Sequence, residues 1–278
     1  MKFFRFGRSG HEKVGAVASD GSLRDLSSAV PHLHLPDMRA SQWQALLKLK
    51  PENFPAIPKG ARLGVPYTGI SKFIGIGLNY RDHAIEAGLP IPTEPILFMK
   101  ATTCISGPQD PVIMPPDSTK LDWEVELGVV IGKEARRVSE AQALNHVAGY
   151  TVVNDISERA WQMERGGTWD KGKCADTFGP IGPWLVTRDE VPNPQALELW
   201  LDINGTPRQR GHTSTMIFGV AHLVHYLSHF MTLLPGDIVC TGTPPGVGMG
   251  HKPPVWLQRG DVMTLGIAGL GQQRQQVV

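Results

Sequence analysis

The stretch that most constrains the fold is LDWEVELGVVIG, which runs from Leu121 to Gly132. Its first half alternates apolar and acidic residues, which predicts a β-strand that carries Asp122, Glu124 and Glu126 on one face. Its second half is apolar throughout, which indicates burial on both faces. Acidic side chains are poor strand formers and repel one another on a shared face, so this strand requires a compensating interaction.

From the residues alone, these carboxylates could form a solvated sheet face, the usual place for alternating polar residues. They could instead form a buried site in which a divalent cation offsets the like charges. Asp155 ends the β-branched run GYTVVNDIS and could supply a third oxygen ligand beside Glu124 and Glu126. Such an oxygen-only set favours a hard cation, Mg²⁺, Mn²⁺ or Ca²⁺, over Zn²⁺.

The composition is that of an ordinary globular protein. The 278 residues are 41% hydrophobic and carry a formal net charge of +1, so no general attraction to nucleic acid or membranes is expected. The chain has no apolar run of about 18 residues, so no membrane-spanning helix is expected, and its first residues turn polar too soon for a secretory signal. The scattered Cys104, Cys174 and Cys240 are interpreted as small core residues of a cytoplasmic protein without disulfides.

Many short strand-like runs, separated by frequent glycine (31) and proline (23), predict a mixed, predominantly β architecture. Helices are predicted at three places: Met38 to Leu49, from Ser139 onward, where SEAQ fits a capping box, and about Ser214 to Met231. A turn-rich link places a domain boundary near residue 68. We therefore predict a small N-terminal β-rich domain over residues 1–68 and a larger domain over 69–278.

Seven motifs follow one another along the chain: GLNYRDHAIEAG, EPILFMK, DWEVELGVVIG, GYTVVNDIS, GKCADTFGPIGPWLV, QRGHTSTMIFG and PGDIVCTGTPPGVG. Together they resemble the fumarylacetoacetate hydrolase family, from about Phe73 to Leu270. The combination is far more specific than any single motif. The resemblance is greatest to bacterial acylpyruvase-like and 2,4-diketo-3-deoxy-sugar-acid hydrolases, some of which are named ureidoglycolate lyases.

The resemblance implies a fumarylacetoacetase-like β-sandwich roll as the catalytic domain, with peripheral helices, a homodimer, and Mg²⁺ or Mn²⁺ as cofactor. The family's site residues fall on ten positions of this chain. The metal carboxylates fall on Glu124, Glu126 and Asp155. The general-base histidine falls on His83, its partner glutamate on Glu86 and the active-site lysine on Lys173. The substrate contacts fall on Lys100, Arg159, Gln162 and Thr243. Asp122 receives no role and is expected to be solvated.

The segment YRDHAIEAGLP predicts a short helix that ends at Gly88, with His83 and Glu86 three residues apart on one face. On the pattern alone, a surface contact between these two side chains is the commoner arrangement. The resemblance favours instead a general base oriented by a carboxylate. The glycines and prolines around this helix are also typical of a lid that closes over substrate.

The loop GTWDKGKC carries two candidates for a cation that faces the carboxylates, Lys173 and its alternative Lys171. A solvated lysine is the ordinary interpretation of such a loop. The family resemblance selects Lys173. Close relatives carry GKGCDTFGP where this chain has GKCADTFGP, so Cys174 stands in the place of a glycine.

Three other patterns are interpreted without a site. His222, His225 and His229 share one stripe of the predicted helix and are expected to form a solvated polar face rather than a zinc site. The loop GTPPGVGMG lacks the GK[ST] ending of a phosphate-binding loop, and GIGLNY lacks the third glycine of a dinucleotide fingerprint. Nucleotide binding through either loop is therefore not expected, and the first is interpreted as a tight turn that presents Thr243.

The resemblance, together with these residues, implies a metal-dependent hydrolase that cleaves a C–C bond of a 2,4-diketo acid, giving pyruvate and a carboxylic acid. The substrate would be a small anionic keto acid, and Lys100, Arg159 and Lys173 would supply positive charge. A lyase or decarboxylase acting on ureidoglycolate or oxaloacetate is the alternative. A non-enzymatic metal-binding protein is a third hypothesis, against which the His83–Glu86 pair argues.

Overall fold

The computed structural model describes residues 1–278 as a mostly β protein. The strands are β1 (Lys2–Phe6), β2 (Lys13–Val17), β3 (Leu23–Asp25), β4 (Leu63–Gly64), β5 (Phe73–Gly77), β6 (Ile96–Lys100), β7 (Ile105–Ser106), β8 (Leu121–Asp122), β9 (Val125–Ile131), β10 (Val147–Asn154), β11 (Ser157–Glu158), β12 (Gly179–Thr187), β13 (Glu198–Ile203), β14 (Thr206–His212), β15 (Ile238–Cys240), β16 (Val262–Ile267) and β17 (Gly271–Gln276). The helices are α1 (Ala40–Leu46), α2 (Arg81–Glu86), α3 (Glu140–Ala143), α4 (Arg159–Glu164), α5 (Asp170–Lys173) and α6 (Val220–Phe230). The predicted β-rich architecture is confirmed, whereas the sandwich-roll description stays a prediction.

The main sheet has 11 strands, and its path runs β3-β2-β1-β12-β10-β9-β15-β5-β6, with β4 beside β1 and β7 beside β12. Its centre is the antiparallel pair β9 and β10, in which every residue is buried. Continuous β-branched and leucine side chains suit this position, because both faces of the sheet are covered. The central pair therefore forms a rigid base for the carboxylates at its end.

The N-terminal strands extend this same sheet. β1 pairs antiparallel with β12, with Phe3 opposite Leu185, and β2 and β3 continue the sheet outward. β4 also joins β1, with Leu63 opposite Phe6. These strands are hydrogen-bonded to the rest of the sheet. The division into domains at residue 68 stays a prediction.

A second sheet of four strands, in the order β14-β13-β16-β17, packs against the main sheet. Two buried glutamines of β17 lie between the sheets. The Gln273 side-chain amide donates to the carbonyl of Val152 at 2.8 Å, and that of Gln275 donates to the carbonyl of Pro108 at 2.8 Å. These hydrogen bonds satisfy polar groups that would otherwise be costly to bury.

The three predicted helices are present but shorter than expected. The last one begins at Val220 rather than near Ser214, because Asn79 binds the preceding segment: its carbonyl and side-chain oxygens accept the N–H groups of Ile217 and Phe218 at 2.7 and 2.9 Å. In α3 the side chain of the N-cap Ser139 makes no capping hydrogen bond. None of the helices has the length and apolar character needed to cross a membrane.

Candidate active site and metal centre

Three carboxylates meet where β10 ends beside the start of β9. The predicted strand is interrupted here, since β8 ends at Asp122 and β9 begins at Val125. The backbone N–H of Asp155 donates to the carbonyl of Glu124 at 2.9 Å, which fixes the pairing of the two chain segments. One carboxylate oxygen from each of Glu124, Glu126 and Asp155 therefore lies within 4.8 Å of the others, and all three residues are buried.

Three buried cations hold two of these carboxylates. The ammonium of Lys173 donates to Glu124 at 2.5 Å and to Asp155 at 2.7 Å. Nη2 of Arg159 donates to the other oxygen of Glu124 at 2.6 Å. The ammonium of Lys100 donates to Asp155 at 2.5 Å and to the main-chain carbonyl of Lys173 at 2.6 Å. Glu124 and Asp155 are thus each held by two positive charges.

Glu126 is different, because no cation pairs with it. Its carboxylate accepts one hydrogen bond, from the backbone N–H of Gly242 at 2.7 Å. Burial and the neighbouring charges of Asp155 and Glu124 raise the pKa of Glu126 well above its ordinary value. Burial also acts against ionisation of Glu124, but Arg159 and Lys173 hold the pKa of Glu124 below its ordinary value. Glu126 is the carboxylate that lacks a counter-charge.

Asp122 is fully buried, so the expectation that it is solvated was wrong. One of its oxygens accepts the backbone N–H groups of Gly248 at 2.6 Å and Trp123 at 2.8 Å. The other accepts Nε of Arg159 at 2.8 Å and the N–H of Met249 at 3.1 Å. Asp122 therefore holds the Arg159 guanidinium in place beside Glu124. Its position on the acidic face was visible in the sequence, but the donors from residues 248–249 were not.

The donor set fits a hard divalent metal. Four carboxylates and three cations make up what we call the site cluster: Asp122, Glu124, Glu126, Asp155, Lys100, Arg159 and Lys173. With every group ionised, this cluster has one negative charge in excess, and the excess lies at Glu126, whose raised pKa reflects the cost of that charge. Burial of an uncompensated carboxylate is costly, and three converging carboxylate oxygens are the ligands that Mg²⁺ and Mn²⁺ prefer.

The predicted pair of His83 and Glu86 lies in α2, and its side chains are in contact. Nδ1 of His83 lies 3.0 Å from a carboxylate oxygen of Glu86, and the backbone N–H of Gly246 donates to the other oxygen at 3.0 Å. Since a carboxylate accepts, Nδ1 carries the hydrogen and Nε2 is the free basic nitrogen. His83 is buried and lines the same cavity as Glu124 and Glu126.

Three of the four predicted substrate contacts, Arg159, Gln162 and Thr243, line this cavity, and each is hydrogen-bonded within the protein. The side-chain oxygen of Gln162 accepts Nη1 of Arg159 at 2.9 Å. The hydroxyl of Thr243 donates to the carbonyl of Val125 at 3.0 Å and accepts the side-chain amide of Gln209 at 2.8 Å. Gln209, which the sequence gave no reason to select, therefore fixes the orientation of Thr243.

The three candidate lysines, Lys100, Lys171 and Lys173, differ in where they lie relative to the cavity. Lys100 is buried on the far side of Asp155 and does not line the cavity, so its placement suits a positioning role better than the predicted substrate contact. Lys171 is exposed and donates to the carbonyl of Arg165 at 2.7 Å, away from the cluster. Of the two candidates in the loop, Lys173 is the one that reaches the carboxylates, in agreement with the choice made from the resemblance.

The cysteines are free. Cys104 and Cys240 are buried, as predicted, and Cys174 is half-buried. The sulfur of Cys174 accepts the backbone N–H of Ala101 at 3.1 Å, which ties the segment after Lys173 to the end of β6. The side chain that stands in the place of a glycine thus packs into the scaffold that holds Lys173.

The three histidines of α6 form no metal site. The Glu124, Glu126 and Asp155 group is the only cluster of three or more potential metal ligands in the chain. His225 is half-buried and bonds the carbonyl of Val138 at 2.7 Å, while His229 is exposed. The expected solvated face is therefore correct for only part of the stripe.

One glycine-rich loop, residues 241–250, holds both parts of the site. Its backbone N–H groups bind Glu126 through Gly242, Glu86 through Gly246, and Asp122 through residues 248–249. Gly242 and Gly246 have φ of +92° and +100°, conformations that favour glycine, and a Cβ on Gly246 would lie 2.0 Å from a backbone oxygen. The loop was interpreted as a turn that presents Thr243, and it also links the metal carboxylates to the histidine pair.

The cavity above these residues is small, about 80 Å³, and combines the charged groups with apolar walls such as Ile76 and Phe98. A larger surface cavity of about 740 Å³ lies beside α1 but contains none of the ten predicted site residues. The small cavity is the better candidate site, because Glu124 and Glu126 line it together with His83.

Residues 72–278 match the family model described as Fumarylacetoacetate (FAA) hydrolase C-terminal. The chain belongs to the fumarylacetoacetate hydrolase family. A Burkholderia lata protein provisionally named a hydrolase is 56% identical over 276 residues, which cover 99% of this chain and 98% of that protein. The family membership inferred from the seven motifs is therefore confirmed.

Solved structures of this family are similar over their full length. A fumarylacetoacetate hydrolase from Exiguobacterium antarcticum is 35% identical with a TM-score of 0.85, covering 100% of this chain and 99% of that one. A 5-carboxymethyl-2-hydroxymuconate delta-isomerase from Mycobacterium smegmatis is 33% identical with a TM-score of 0.78, covering 100% and 98%. A maleylpyruvate hydrolase from Sphingobium sp. SYK-6, solved with manganese(II) and pyruvate, is 29% identical with a TM-score of 0.81, covering 100% and 99%. The family thus includes hydrolases and isomerases, and its enzymes depend on divalent metals.

Proposed function

We propose that the protein is a metal-dependent hydrolase that cleaves the C3–C4 bond of a 2,4-diketo acid, giving pyruvate and a carboxylic acid. The observation that carries this proposal is that His83, which Glu86 holds, lines one cavity with the carboxylates Glu124 and Glu126. A histidine held by a carboxylate is suited to activating water, which a hydrolase requires. The homodimer and the cytoplasmic location implied by the resemblance stay predictions.

Glu124, Glu126 and Asp155 would hold the metal, for which we propose Mg²⁺ or Mn²⁺. Such an ion, when bound, supplies positive charge that stabilises negative charge developing on the substrate oxygens. With a divalent ion counted, the excess negative charge of the site cluster becomes an excess positive charge of one. This balance suits an anionic keto acid.

Lys173 would complete the binding of the substrate head. Its ammonium lies between Glu124 and Asp155 at the cavity wall, and its third hydrogen remains available for a substrate oxygen. Burial among carboxylates keeps this ammonium in place beside the reacting group. A donor fixed in advance stabilises developing charge without reorganisation.

His83 would act as the general base. Its Nε2 takes a proton from water while Glu86 holds Nδ1–H, and the water oxygen bonds to the C4 carbonyl carbon. When the adduct collapses, the C3–C4 bond breaks and its electron pair stays on the three-carbon fragment. The proton held by His83 then returns to C3, which balances the reaction as diketo acid plus water giving pyruvate plus carboxylic acid.

The test is to replace His83 by alanine and assay a panel of 2,4-diketo acids with identified products. We expect kcat to fall by about 10²–10⁴-fold with Mn²⁺ affinity unchanged, because His83 contacts none of the three carboxylates. His229→Ala, an exposed histidine on α6, is the matched control and should retain full activity. Full activity of His83→Ala would refute the mechanism, and turnover of only oxaloacetate or ureidoglycolate would favour the lyase or decarboxylase alternative.

A further inference from the structure

Three large apolar side chains at the mouth of the site cavity are exposed to solvent. Leu89 is 53% exposed, Met163 is 54% exposed and Met249 is 38% exposed, and all three line the cavity. They come from three separate segments: the turn after α2, the end of α4 and the glycine-rich loop 241–250. Single exposed apolar residues are ordinary, but three that converge on one opening form a contact surface.

The apolar surface continues inward from this mouth. Phe98 and Trp169 line the cavity below it, with their ring centroids 5.8 Å apart. Methionine side chains are flexible and polarisable, so Met163 and Met249 can adapt to alkyl groups of different shape. The walls above the charged floor are therefore suited to an apolar ligand segment.

Both cations that line the cavity are already paired with carboxylates of the site cluster. Arg159 is engaged by Asp122, Glu124 and Gln162. Lys173 is engaged by Glu124 and Asp155 at the floor. These are the only Lys and Arg residues that line the cavity, so no unpaired lysine or arginine lines its mouth to receive a carboxylate at the far end of a substrate.

The size of the cavity separates the substrate into two parts. About 80 Å³ accommodates a head group of only a few heavy atoms, since one water molecule needs roughly 10–15 Å³ of cavity volume on the same measure. The remainder of a longer substrate must extend past Leu89, Met163 and Met249. The chemistry of the tail is therefore selected at the mouth and not at the charged floor.

We propose that the substrate is an acylpyruvate with an apolar, aliphatic acyl tail, and that Leu89, Met163 and Met249 determine this specificity. This inference rests on the proposed function and narrows it, because tails that end in a carboxylate or carry several hydroxyl groups are disfavoured. Burial of alkyl carbon against these side chains is favourable in proportion to the apolar area removed from water. An unpaired carboxylate in the same place would lose hydration without gaining a partner.

The experiment compares 2,4-dioxoheptanoate with 2,4-dioxoheptanedioate, which has the same carbon chain and a terminal carboxylate. We expect kcat/KM of the wild-type enzyme with Mn²⁺ to be at least about tenfold higher for the alkyl substrate. Equal or better turnover of the dicarboxylate would overturn the specificity while leaving the proposed function intact. Turnover of neither compound would overturn the proposed function and the specificity together.

A lysine introduced at the mouth of the cavity tests whether these residues determine the substrate preference. Met163→Lys should lower kcat/KM for the alkyl substrate and raise it for the dicarboxylate, moving their ratio by about three- to tenfold. Ile113→Lys adds the same charge at an exposed position outside the cavity and is the control. Inhibition by pyruvate should stay constant in both variants, because the head site is unchanged. An equal change of ratio in the control would overturn the assignment to Met163.

Discussion

Two ionic clusters in this protein are built from the same kinds of side chain but differ in charge balance. The N-terminal cluster consists of Arg5, Glu12, Arg62 and Asp110, two cations and two carboxylates. Arg62 donates to both oxygens of Asp110, at 2.7 and 2.5 Å, and to Glu12 at 2.9 Å. In the site cluster, by contrast, Glu126 is buried beside two other carboxylates without a cation of its own.

The difference separates a structural cluster from a functional one. In the N-terminal cluster, each carboxylate is paired with a guanidinium, so removal of one member leaves a partner unsatisfied and should destabilise the fold. In the site cluster, the unpaired charge disfavours the metal-free state, and a divalent cation would remove that cost. A buried carboxylate in excess is therefore a stronger indication of a metal site than the number of carboxylates alone.

The largest expected effect comes from Glu126→Gln, which removes the excess charge and keeps the side-chain shape. We expect Mn²⁺ affinity to fall at least about 100-fold, because even changes to residues that only orient metal ligands cost 10–100-fold. The thermal midpoint in EDTA should stay the same or rise, since the charge that is lost was uncompensated. Calorimetric titration with Mn²⁺ and thermal unfolding with and without EDTA measure the two effects.

Glu158→Gln provides the matched control for Glu126→Gln. Glu158 is also fully buried, but its carboxylate accepts the backbone N–H groups of Thr119, Lys120 and Ala160. This variant should unfold at a lower temperature in EDTA and still bind Mn²⁺. Lower stability and intact metal affinity are the results expected for Glu158→Gln. If Glu126→Gln shows these results as well, the contrast between the two clusters is wrong.

The sequence was sufficient for the β-rich architecture, which follows from local patterns. The alternation along one strand left a solvated face and a metal site both open, and the family motifs decided for the convergence of Glu124, Glu126 and Asp155. The spacing of His83 and Glu86 likewise predicted a contact that the helix α2 produces. These features depend on residues close together in the chain, or on motifs that follow one another in a fixed order.

What the sequence could not provide was the set of long-range partners. Asp122 was expected to be solvated because two of its backbone donors, Gly248 and Met249, lie more than 120 residues away in the chain. The same loop binds Glu86 and Glu126, and nothing local indicates that its amides point at carboxylates. Lys100 was assigned to substrate by resemblance, whereas its burial behind Asp155 depends on how β6 packs against the end of β10.

A smaller effect should follow from Arg62→Met in the N-terminal cluster. The loss of the guanidinium leaves Asp110 and part of Glu12 without a partner, so the free energy of unfolding should fall by about 1–3 kcal/mol. Urea denaturation measures this change. Arg210→Met, which removes an exposed pair with Asp202, is the control and should cost about 1 kcal/mol or less. A smaller cost for Arg62→Met than for the control would show that the balanced cluster contributes nothing special to stability.

The smallest effect, and the finest test of charge balance, is the pH dependence of Glu12. Burial acts against its ionisation, but the hydrogen bond from Arg62 and the charges of Arg5 and Arg62 outweigh burial and lower the pKa of Glu12 below its ordinary 4.5. Because the folded-state pKa is the lower one, the stabilisation is complete above about pH 4.5 and is lost as the pH falls through the lowered value.

Glu12→Gln cannot titrate, so its difference in unfolding free energy from the wild type should shrink as the pH is lowered from 6 toward 3. Since Glu12 is one member of a partly exposed network, we expect a change of about 1 kcal/mol or less. Urea denaturation in EDTA across this range measures it without a contribution from bound metal. Glu198→Gln alters an exposed carboxylate outside both clusters, so its difference in unfolding free energy from the wild type should stay constant with pH. If the difference for Glu12→Gln is also independent of pH, the cations of the N-terminal cluster do not stabilise the carboxylate of Glu12.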